Sequence, residues 1–362
     1  MTSTSPRRVL LLCGGRSGEH EVSLASAASV LDAAPDGIRL EPRVITRSGH
    51  LLSEDDSRSA LRAGRSDEIA TTDAPSVLAG LAQADPARYN AVFPLLHGPN
   101  GEDGTIQGLL AVADVACVGS GVLGSAAAMD KIVMKRLFAS AGLPQVDWQG
   151  VDAADWSDEP DAVVTRLRSL GDAWFVKPAN LGSSVGISRA DDDAGLRSAI
   201  ETALRFDRRV VVEAVVDDRR EIEVAVLGND RPSASPPGEI VVLGDTFYDY
   251  EHKYTGGLAE LRIPAELPAA TAERMRELAL RAFDVVDAAG LARVDLFLRP
   301  DGRVLVNEIN TLPGFTATSM YPRLMDAAGV PYPRLIERLV DLALERHGQR
   351  AALRVDGGPD PA

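Results

Sequence analysis

Short apolar runs that end in glycine-rich polar segments recur in the first third of the chain. Residues 9–12 and 91–96 are almost wholly apolar, and the polar segments 14–23 and 97–104 follow them. An unbroken apolar run of this length is typical of a strand buried on both faces of a parallel sheet. Such sheets bind ligands at the carboxyl ends of their strands. The pattern predicts an N-terminal open α/β domain with two candidate ligand-binding corners.

Longer segments predict helices, because their apolar residues recur three or four positions apart. We expect helices at about 24–34, from 105 onward, and at 129–140, 268–289 and 332–347. A short apolar run at 115–118 predicts one further strand.

The clearest period-two pattern lies between residues 292 and 310. Two alternating runs flank an Asp-Gly pair there, which signals a β-hairpin with a loop of two or four residues. Either loop places Asp295 opposite Glu308 and Arg293 opposite Asn310, on one face. Opposed carboxylates repel, so this face either binds a divalent cation, which prefers oxygen ligands, or is a solvated polar surface.

Two lysines and a glycine-serine segment suggest phosphate binding. Lys131 lies in the first turn of a predicted helix, and Lys177 ends an apolar run at 173–178. That run leads into 179–187, a segment whose backbone N–H groups and hydroxyls suit phosphate oxygens. A flexible hairpin loop has the same composition and is the alternative.

Several polar residues at element ends have two interpretations each. Glu19 either favours a helix start through the helix dipole or contacts a ligand, and His97 after its strand is either structural or catalytic. Glu213 and Glu221, beside apolar strands, either contact the amine and ribose of a nucleotide or are exposed caps. Residues 247–257 combine aromatic and charged side chains with a Gly-Gly pair, the composition of a mobile lid.

Composition excludes several classes of protein. The chain has 362 residues, 45% of them hydrophobic and 25% charged, which suggests a soluble protein of two or three domains. Its net charge of -15 argues against nucleic acid or an anionic membrane as a partner. No apolar stretch approaches the length of a membrane span. Two cysteines, Cys13 and Cys117, give no disulfide framework and fit a reducing cytoplasm.

Seven segments resemble, in order, the motifs of the D-alanine–D-alanine ligase family, which belongs to the ATP-grasp superfamily. These segments are 14–23, 97–108, 129–131, 177–186, 248–254, 293–295 and 307–316. The resemblance implies a mixed α/β and α+β protein. An N-terminal open parallel sheet, the Rossmann-like pre-ATP-grasp domain, would span 1–127. A two-subdomain ATP-grasp fold would follow, with its central subdomain at 128–215 and its C-terminal subdomain at 216–362.

The family's reaction is what the resemblance implies for chemistry. ATP, the co-substrate, phosphorylates the carboxylate of one D-alanine, and the amine of a second D-alanine attacks the acyl phosphate. The products are D-alanyl-D-alanine for peptidoglycan precursor synthesis, ADP and phosphate. Two Mg²⁺ or Mn²⁺ ions are expected to bridge the phosphates, and a cytoplasmic homodimer is expected.

Matching positions imply roles for the substrate-binding residues. Glu19 would hold the ammonium of the first D-alanine, and Ser183 and Tyr254 would join it in a hydrogen-bonded set that closes the lid. His97 would lie near the first substrate's carboxylate.

The same resemblance implies the groups that act on the reacting atoms. Arg293 and the Gly314 N–H would stabilise the oxyanion of the tetrahedral intermediate, and Lys253 would reach the γ-phosphate from the lid. Ser319 and Met320 would contact the second substrate's carboxylate.

The implied ATP and metal ligands complete the set. The other ATP-binding residues would be Lys131, Lys177, Ser184, Glu213, Val216 and Glu221. The metal ligands would be Asp295, Glu308 and Asn310.

The sequence departs from the family pattern between Glu213 and Glu221. One residue more than usual separates the two carboxylates, and residues 217–220 stand where the family carries a glycine. Tyr254 matches relatives that make the dipeptide. The alternatives are a D-alanyl-D-lactate-type ligase, another ATP-grasp carboxylate–amine ligase, or a nucleotide-binding protein without catalysis.

Overall fold

The computed structural model describes residues 6–67, 69, 71, 73–182, 185–242 and 259–354. The predicted lid at 247–257 lies outside these described residues. The same is true of four predicted site residues: Ser183, Ser184, Lys253 and Tyr254.

Strands and helices alternate at first, and antiparallel strands dominate later. In chain order, the strands are β1 (Arg7–Gly14), β2 (Ile38–Ile45), β3 (Ala91–Leu95), β4 (Trp148–Asp152), β5 (Trp174–Pro178), β6 (Ser188–Ala190), β7 (Arg209–Ala214), β8 (Arg220–Gly228), β9 (Ser233–Ala234), β10 (Gly238–Val242), β11 (Ala259–Arg262), β12 (Gly290–Leu298) and β13 (Val304–Asn310). The helices are α1 (His20–Asp32), α2 (Glu54–Ala63), α3 (Val77–Ala84), α4 (Thr105–Val112), α5 (Val122–Met129), α6 (Lys131–Ser140), α7 (Ala153–Asp158), α8 (Pro160–Leu167), α9 (Asp193–Ala203), α10 (Ala269–Val285), α11 (Met320–Ala327) and α12 (Tyr332–Ala351). Two short 3-10 helices span Pro86–Arg88 and Arg168–Leu170.

The N-terminal sheet is parallel, as predicted, with the strand order β2-β1-β3. Its central strand β1 is buried on both faces, because alternate residues of the apolar run enter two different hydrophobic clusters. The predicted strand at 115–118 is wrong. Only one parallel bridge forms there, between Val92 and Cys117, and the chain then turns at Gly119, whose φ is +93°.

Helix α1 begins at His20, four residues before the predicted start. The expected start followed the first regular apolar residue, but the first turns of the helix bury polar side chains instead. Ser23 and Ser26 have no exposed surface, and their hydroxyls contact the neighbouring strand and loop. The helix therefore starts directly after Glu19.

Two antiparallel sheets make up the rest of the molecule. The first has the order β4-β7-β5-β6, and α8 and α9 pack on one of its faces. The second has the order β11-β10-β8-β12-β13, with β9 paired to β8 and α10 packed beneath. Helix α12 returns to the N-terminal sheet and shares its hydrophobic cluster. The predicted N-terminal parallel sheet is confirmed, and the two antiparallel sheets that follow it agree with the expected two-subdomain fold.

The hairpin of β12 and β13 has the predicted register at the predicted site. Asp295 pairs with Glu308, and Arg293 pairs with Asn310.

The predicted loop length of this hairpin is wrong, and a β-bulge compensates for it. Arg299 donates its N–H to the carbonyl of Arg303 at 2.9 Å, so the loop has three residues, with Gly302 at a φ of +83°. Asn307 then stands without a partner on β12, at a register shift in the ladder. One extra loop residue and one bulged residue cancel, which restores the register where the carboxylates lie.

In the part of the chain that the structure describes, no helix has the length and apolarity that crossing a bilayer requires.

Candidate active site

A cleft lies between the two antiparallel sheets. Strands β5 and β7 supply one wall, and β8, β12 and β13 supply the other. Its lining includes Lys131, Lys177, Glu213, Asp295 and Glu308. Residues predicted from widely separated segments therefore face one space.

A buried triad of charges forms one wall of this cleft. The Glu213 carboxylate lies between two ammonium groups, 2.7 Å from Lys135 Nζ and 2.6 Å from Lys177 Nζ. Burial alone would raise the pKa of Glu213, but the two lysines outweigh it and lower that pKa to about 2. Burial lowers the pKa of Lys135. For Lys177, burial is outweighed by Glu213 and Glu308, which raise its pKa.

Lys131 reaches the cleft from the start of α6. Asp130 caps this helix by accepting the N–H groups of Ile132 and Val133 at 3.1 and 3.0 Å. The Lys131 ammonium donates to the Leu181 carbonyl at 2.5 Å, and burial lowers the pKa of this lysine. The amine is thereby held beside the segment that was predicted to bind phosphate.

An arginine that the sequence analysis did not single out sits inside the cleft. The Arg219 guanidinium donates to the Val216 carbonyl and to the Glu221 carboxylate, both at 3.0 Å. It also stacks over the rings of Phe297 and Phe175, at 4.7 and 5.4 Å from their centroids. The longer segment before Glu221 thus carries a cation that joins Val216 and Glu221, two of the predicted ATP ligands.

The metal face combines oxygen ligands with an arginine. Arg293 donates two hydrogen bonds of 2.7 Å to Asp295 and lies 3.1 Å from Glu223. Burial would lower the pKa of Arg293, but Asp295 and Glu223 raise it well above its ordinary value. Asp295 is therefore paired with the oxyanion-binding candidate, and a metal bound there would compete with the guanidinium for it.

The donor set of this face suits a hard cation. Asp295, Glu308 and Asn310 offer only carboxylate and amide oxygens, the ligands that Mg²⁺ prefers. The bulge also brings Asn307 into the cleft, and its buried side-chain oxygen has no hydrogen-bond partner. Within the described residues no cluster of three or more His, Cys, Asp or Glu side chains occurs, so the amide oxygens are needed to complete a metal site.

The first predicted ligand corner, at residues 14–23, lies beside the end of the cleft that Lys131 and Gly182 line. Glu19 is buried, and a Cβ atom at Gly98 or Gly182 would come within 2.8 or 2.9 Å of its Oε2. A side chain at either position would force the Glu19 carboxylate to shift. Glu102 accepts the Gly98 N–H at 2.7 Å, and burial, followed by the charge of Glu19, raises its pKa to about 8.

His97 is buried and has contacts at both ring nitrogens. Its Nδ1 lies 3.0 Å from the Leu312 carbonyl, and its Nε2 lies 3.2 Å from the Ser26 hydroxyl. Burial lowers the pKa of His97, which favours the neutral ring. Both ring nitrogens thus have protein partners. The predicted contact of His97 with a substrate carboxylate stays a prediction.

The segment after β13 carries the remaining predicted residues. Gly314 is half-buried beside Ser319, whose hydroxyl accepts the Thr316 N–H at 3.1 Å. The Met320 side chain is buried in the core, so the predicted contact of this residue with a substrate would have to be made by its backbone N–H, at the start of α11. A helix N-terminus favours a carboxylate.

The structure brings most of the described site residues together and adds several that the sequence analysis missed. Glu213, Val216 and Glu221 line the same cleft as the lysines and the metal face. The additions are Ser26, Glu102, Lys135, Arg219, Glu223 and Asn307. Only Lys135 had a usable signal, because it follows Lys131 by four positions on the same helix face.

A parallel N-terminal sheet, followed by two antiparallel sheets around a cleft of lysines and carboxylates, defines the ATP-grasp class of ligase. Family models for the N-terminus and the C-terminus of D-Ala-D-Ala ligase match residues 8–120 and 137–341. The chain belongs to the D-alanine–D-alanine ligase family.

Individual relatives agree with this assignment over nearly their full lengths. A D-alanine–D-alanine ligase of Deinococcus radiodurans is 53% identical over 342 residues, which cover 94% of this chain and 99% of the relative. A ligase of the same name from Listeria innocua is 48% identical, with 96% and 98% covered.

Solved structures are similar as well. The D-alanine-D-alanine ligase of Coxiella burnetii superposes with a TM-score of 0.79 at 33% identity, covering 96% of this chain and 97% of the other. The VanG D-Ala:D-Ser ligase of Enterococcus faecalis has the same TM-score at 30% identity, with 94% and 100% covered.

Proposed function

We propose that this protein joins two D-alanines into D-alanyl-D-alanine with ATP, through a D-alanyl phosphate, for peptidoglycan precursor synthesis. One observation carries the proposal beyond family membership. Lys131, Gly182 and Glu308 line both this cleft and an adjoining pocket, and Gly182 lies next to Glu19. The phosphate end of a nucleotide and an amino acid held by Glu19 would therefore meet.

In this proposal the lysines act first. Lys131 and Lys177 bind the triphosphate and orient its γ-phosphate toward the substrate carboxylate, since phosphoryl transfer depends on positioning and charge neutralisation. Asp295, Glu308 and Asn310 would hold Mg²⁺ or Mn²⁺, which supplies further neutralisation of phosphate charge when bound. Asn307 offers an additional oxygen beside them.

The second step is amine attack on the acyl phosphate. Arg293 and the Gly314 N–H stabilise the negative charge that develops on the carbonyl oxygen. Glu19 holds the first substrate's ammonium, while Ser319 and the N-terminus of α11 receive the second substrate's carboxylate. Ser183, Ser184, Lys253 and Tyr254 keep the roles that the resemblance implies.

The proposal includes the organisation of the whole protein. We propose domain boundaries near residues 128 and 216, a cytoplasmic location and a homodimer. The compositional arguments and the family resemblance support these points.

A phosphate-release assay with ATP, Mg²⁺ and D-alanine tests the proposed function, with L-alanine as the control. We expect phosphate release and a dipeptide product with D-alanine only. D-serine and D-lactate should be offered as second substrates, because one structural relative is named a D-Ala:D-Ser ligase. Release without a dipeptide, or a preference for either alternative over D-alanine, would overturn the assignment.

A further inference from the structure

Helix α1 contacts the loop that carries Gly314. Ser26 lies on this helix with no exposed surface, and the backbone N–H of Phe315 donates to its hydroxyl at 3.3 Å. Ser29, one turn further on, accepts the N–H of Ala317 at 3.0 Å. The loop residues that follow Gly314 are therefore tied to a helix of the N-terminal domain.

His97 connects the same serine to the other side of Gly314. A carbonyl oxygen can only accept, so Nδ1 of His97 must donate its proton to Leu312. In the neutral ring Nε2 is then an acceptor, and the Ser26 hydroxyl donates to it. One directional chain results, from the Phe315 N–H to Ser26, from Ser26 to His97, and from His97 to the Leu312 carbonyl.

We propose that Ser26, acting through His97, is a positioning residue that fixes the direction of the Gly314 N–H. This inference rests on the proposed function, in which that N–H stabilises the oxyanion. The chain of hydrogen bonds holds the Leu312–Pro313 and Gly314–Phe315 peptide groups, which flank the peptide group that carries the Gly314 N–H. A glycine has more backbone freedom than any other residue, so its N–H keeps one direction only if its neighbours are fixed.

The packing around Phe315 supports the same conclusion. Its ring is fully buried, with the rings of Phe93, Tyr321 and Tyr332 at 5.7, 6.0 and 5.7 Å between centroids. Its carbonyl accepts the Tyr332 hydroxyl at 2.5 Å. Ser26 thus supplies a polar contact at the Phe315 N–H, which belongs to the peptide bond that joins Phe315 to Gly314.

The position of Ser26 on α1 gives the link a second consequence. Glu19 occupies the N-cap position of the same helix and is proposed to hold the first substrate's ammonium. One rigid helix therefore sets the separation between the group that holds the substrate amine and the group that meets the developing oxyanion. The contact between α1 and the loop that carries Gly314 therefore brings these two groups into one active site.

The test compares Ser26→Ala with a matched control, Ser57→Ala. Ser57 is equally buried, and its hydroxyl likewise accepts a backbone N–H, from Val44 at 2.9 Å. Both variants lose one buried hydroxyl, and we expect both to lower Tm by a similar few degrees. Ser26→Cys keeps the side-chain volume and a weak S–H donor, and it takes the place of Ser26→Ala in the comparison if Ser26→Ala does not fold.

Steady-state dipeptide synthesis separates positioning from stability. Loss of one oxyanion donor costs about a hundred- to a thousand-fold in kcat, and here the donor is displaced rather than lost. We expect Ser26→Ala to lower kcat by about ten- to a hundred-fold, with the KM for ATP unchanged and Ser26→Cys intermediate. Ser57→Ala should keep the wild-type kcat.

A phosphinate analogue of the dipeptide gives the second measurement, because with ATP it forms a mimic of the tetrahedral intermediate. Its affinity should fall in step with kcat in the Ser26 variants, whereas the KM for D-alanine should change less. Ser26 variants that match Ser57→Ala in both measurements overturn the inference and leave the proposed function standing. A wild-type protein that makes no dipeptide overturns both.

Discussion

Replacement of Lys135 by methionine tests whether the buried charge triad holds the nucleotide cleft together. Methionine keeps the volume of the lysine stem and removes only the charge. Lys135 is 1% exposed, and its ammonium lies 2.7 Å from Glu213. In the variant, Glu213 retains Lys177 as its single cationic partner.

The expected loss of stability follows from burial. Removing one partner of a buried ion pair costs about 3–5 kcal/mol. Because Lys177 still neutralises Glu213, we expect the lower end, about 3 kcal/mol. The Tm of the variant should be lower than that of the wild type by about 5 °C.

Acid unfolding provides an independent measurement of the same triad. The folded-state pKa of Glu213 is about 2, below the ordinary value of 4.5, so its ionised form stabilises the fold above pH 4.5. That contribution is lost as the pH falls from 4.5 toward 2. In Lys135→Met the pKa of Glu213 should rise, and acid unfolding should begin at higher pH.

Kinetics connect the triad to nucleotide binding. With Lys135 gone, Lys177 should be drawn to Glu213 more strongly and should contact the phosphates less well. We therefore expect a higher KM for ATP and a smaller change in kcat. The double variant with Glu213→Gln should recover part of the lost stability, because it removes the underpaired carboxylate. Unchanged unfolding at both neutral and acidic pH, together with an unchanged KM, would refute this reasoning.

Three further substitutions address the rest of the site. Glu308→Gln should abolish Mg²⁺-dependent phosphate release with Tm preserved, and full activity in a Mg²⁺ titration would contradict the metal assignment. Gly98→Ala should raise the KM for D-alanine roughly ten-fold, because Gly98 has a φ of +75° and the new Cβ would lie 2.8 Å from Oε2 of Glu19. A KM equal to that of the wild type would argue against this corner as the substrate site. Arg219→Ala should raise the KM for ATP about five-fold with little effect on kcat, about the effect of one lost hydrogen bond, because Arg219 holds Val216 and Glu221 in place. Steady-state kinetics that show no change would exclude a nucleotide role for Arg219.

Local patterns predicted the parts of the site that lie on one hairpin or one strand end. Asp295 and Glu308 face each other because period-two alternation and a turn signal fix a register over a few residues. The bulge at Asn307 was not predictable in this way, since it depends on how β13 meets its neighbours. The predicted register was correct only because the bulge offset the extra loop residue.

Contacts between distant segments were beyond the sequence patterns. Ser26 and His97 are separated by 71 positions, and His97 and Leu312 by 215. Neither residue type signals a partner at such a distance. Arg219 poses the same difficulty, because its two aromatic neighbours come from strands of different sheets, β5 and β12. Tertiary packing rather than propensity decides such contacts.

The charges of the cleft explain why the lysines alone would not suffice for ATP. Lys177 is engaged by Glu213, Arg219 by Glu221, and Arg293 by Asp295 and Glu223. Lys131 donates its ammonium to the Leu181 carbonyl, and the charge of Glu308 acts on it as well.

A multiply charged triphosphate that enters this cleft therefore meets positive charge that is already largely compensated. Asp295 and Glu308 would hold a divalent metal that neutralises phosphate charge when bound, and such a metal would compete with Arg293 for the Asp295 carboxylate. We therefore expect Arg293, the candidate for oxyanion binding, to be freer to meet a developing negative charge once a metal–nucleotide complex occupies the cleft.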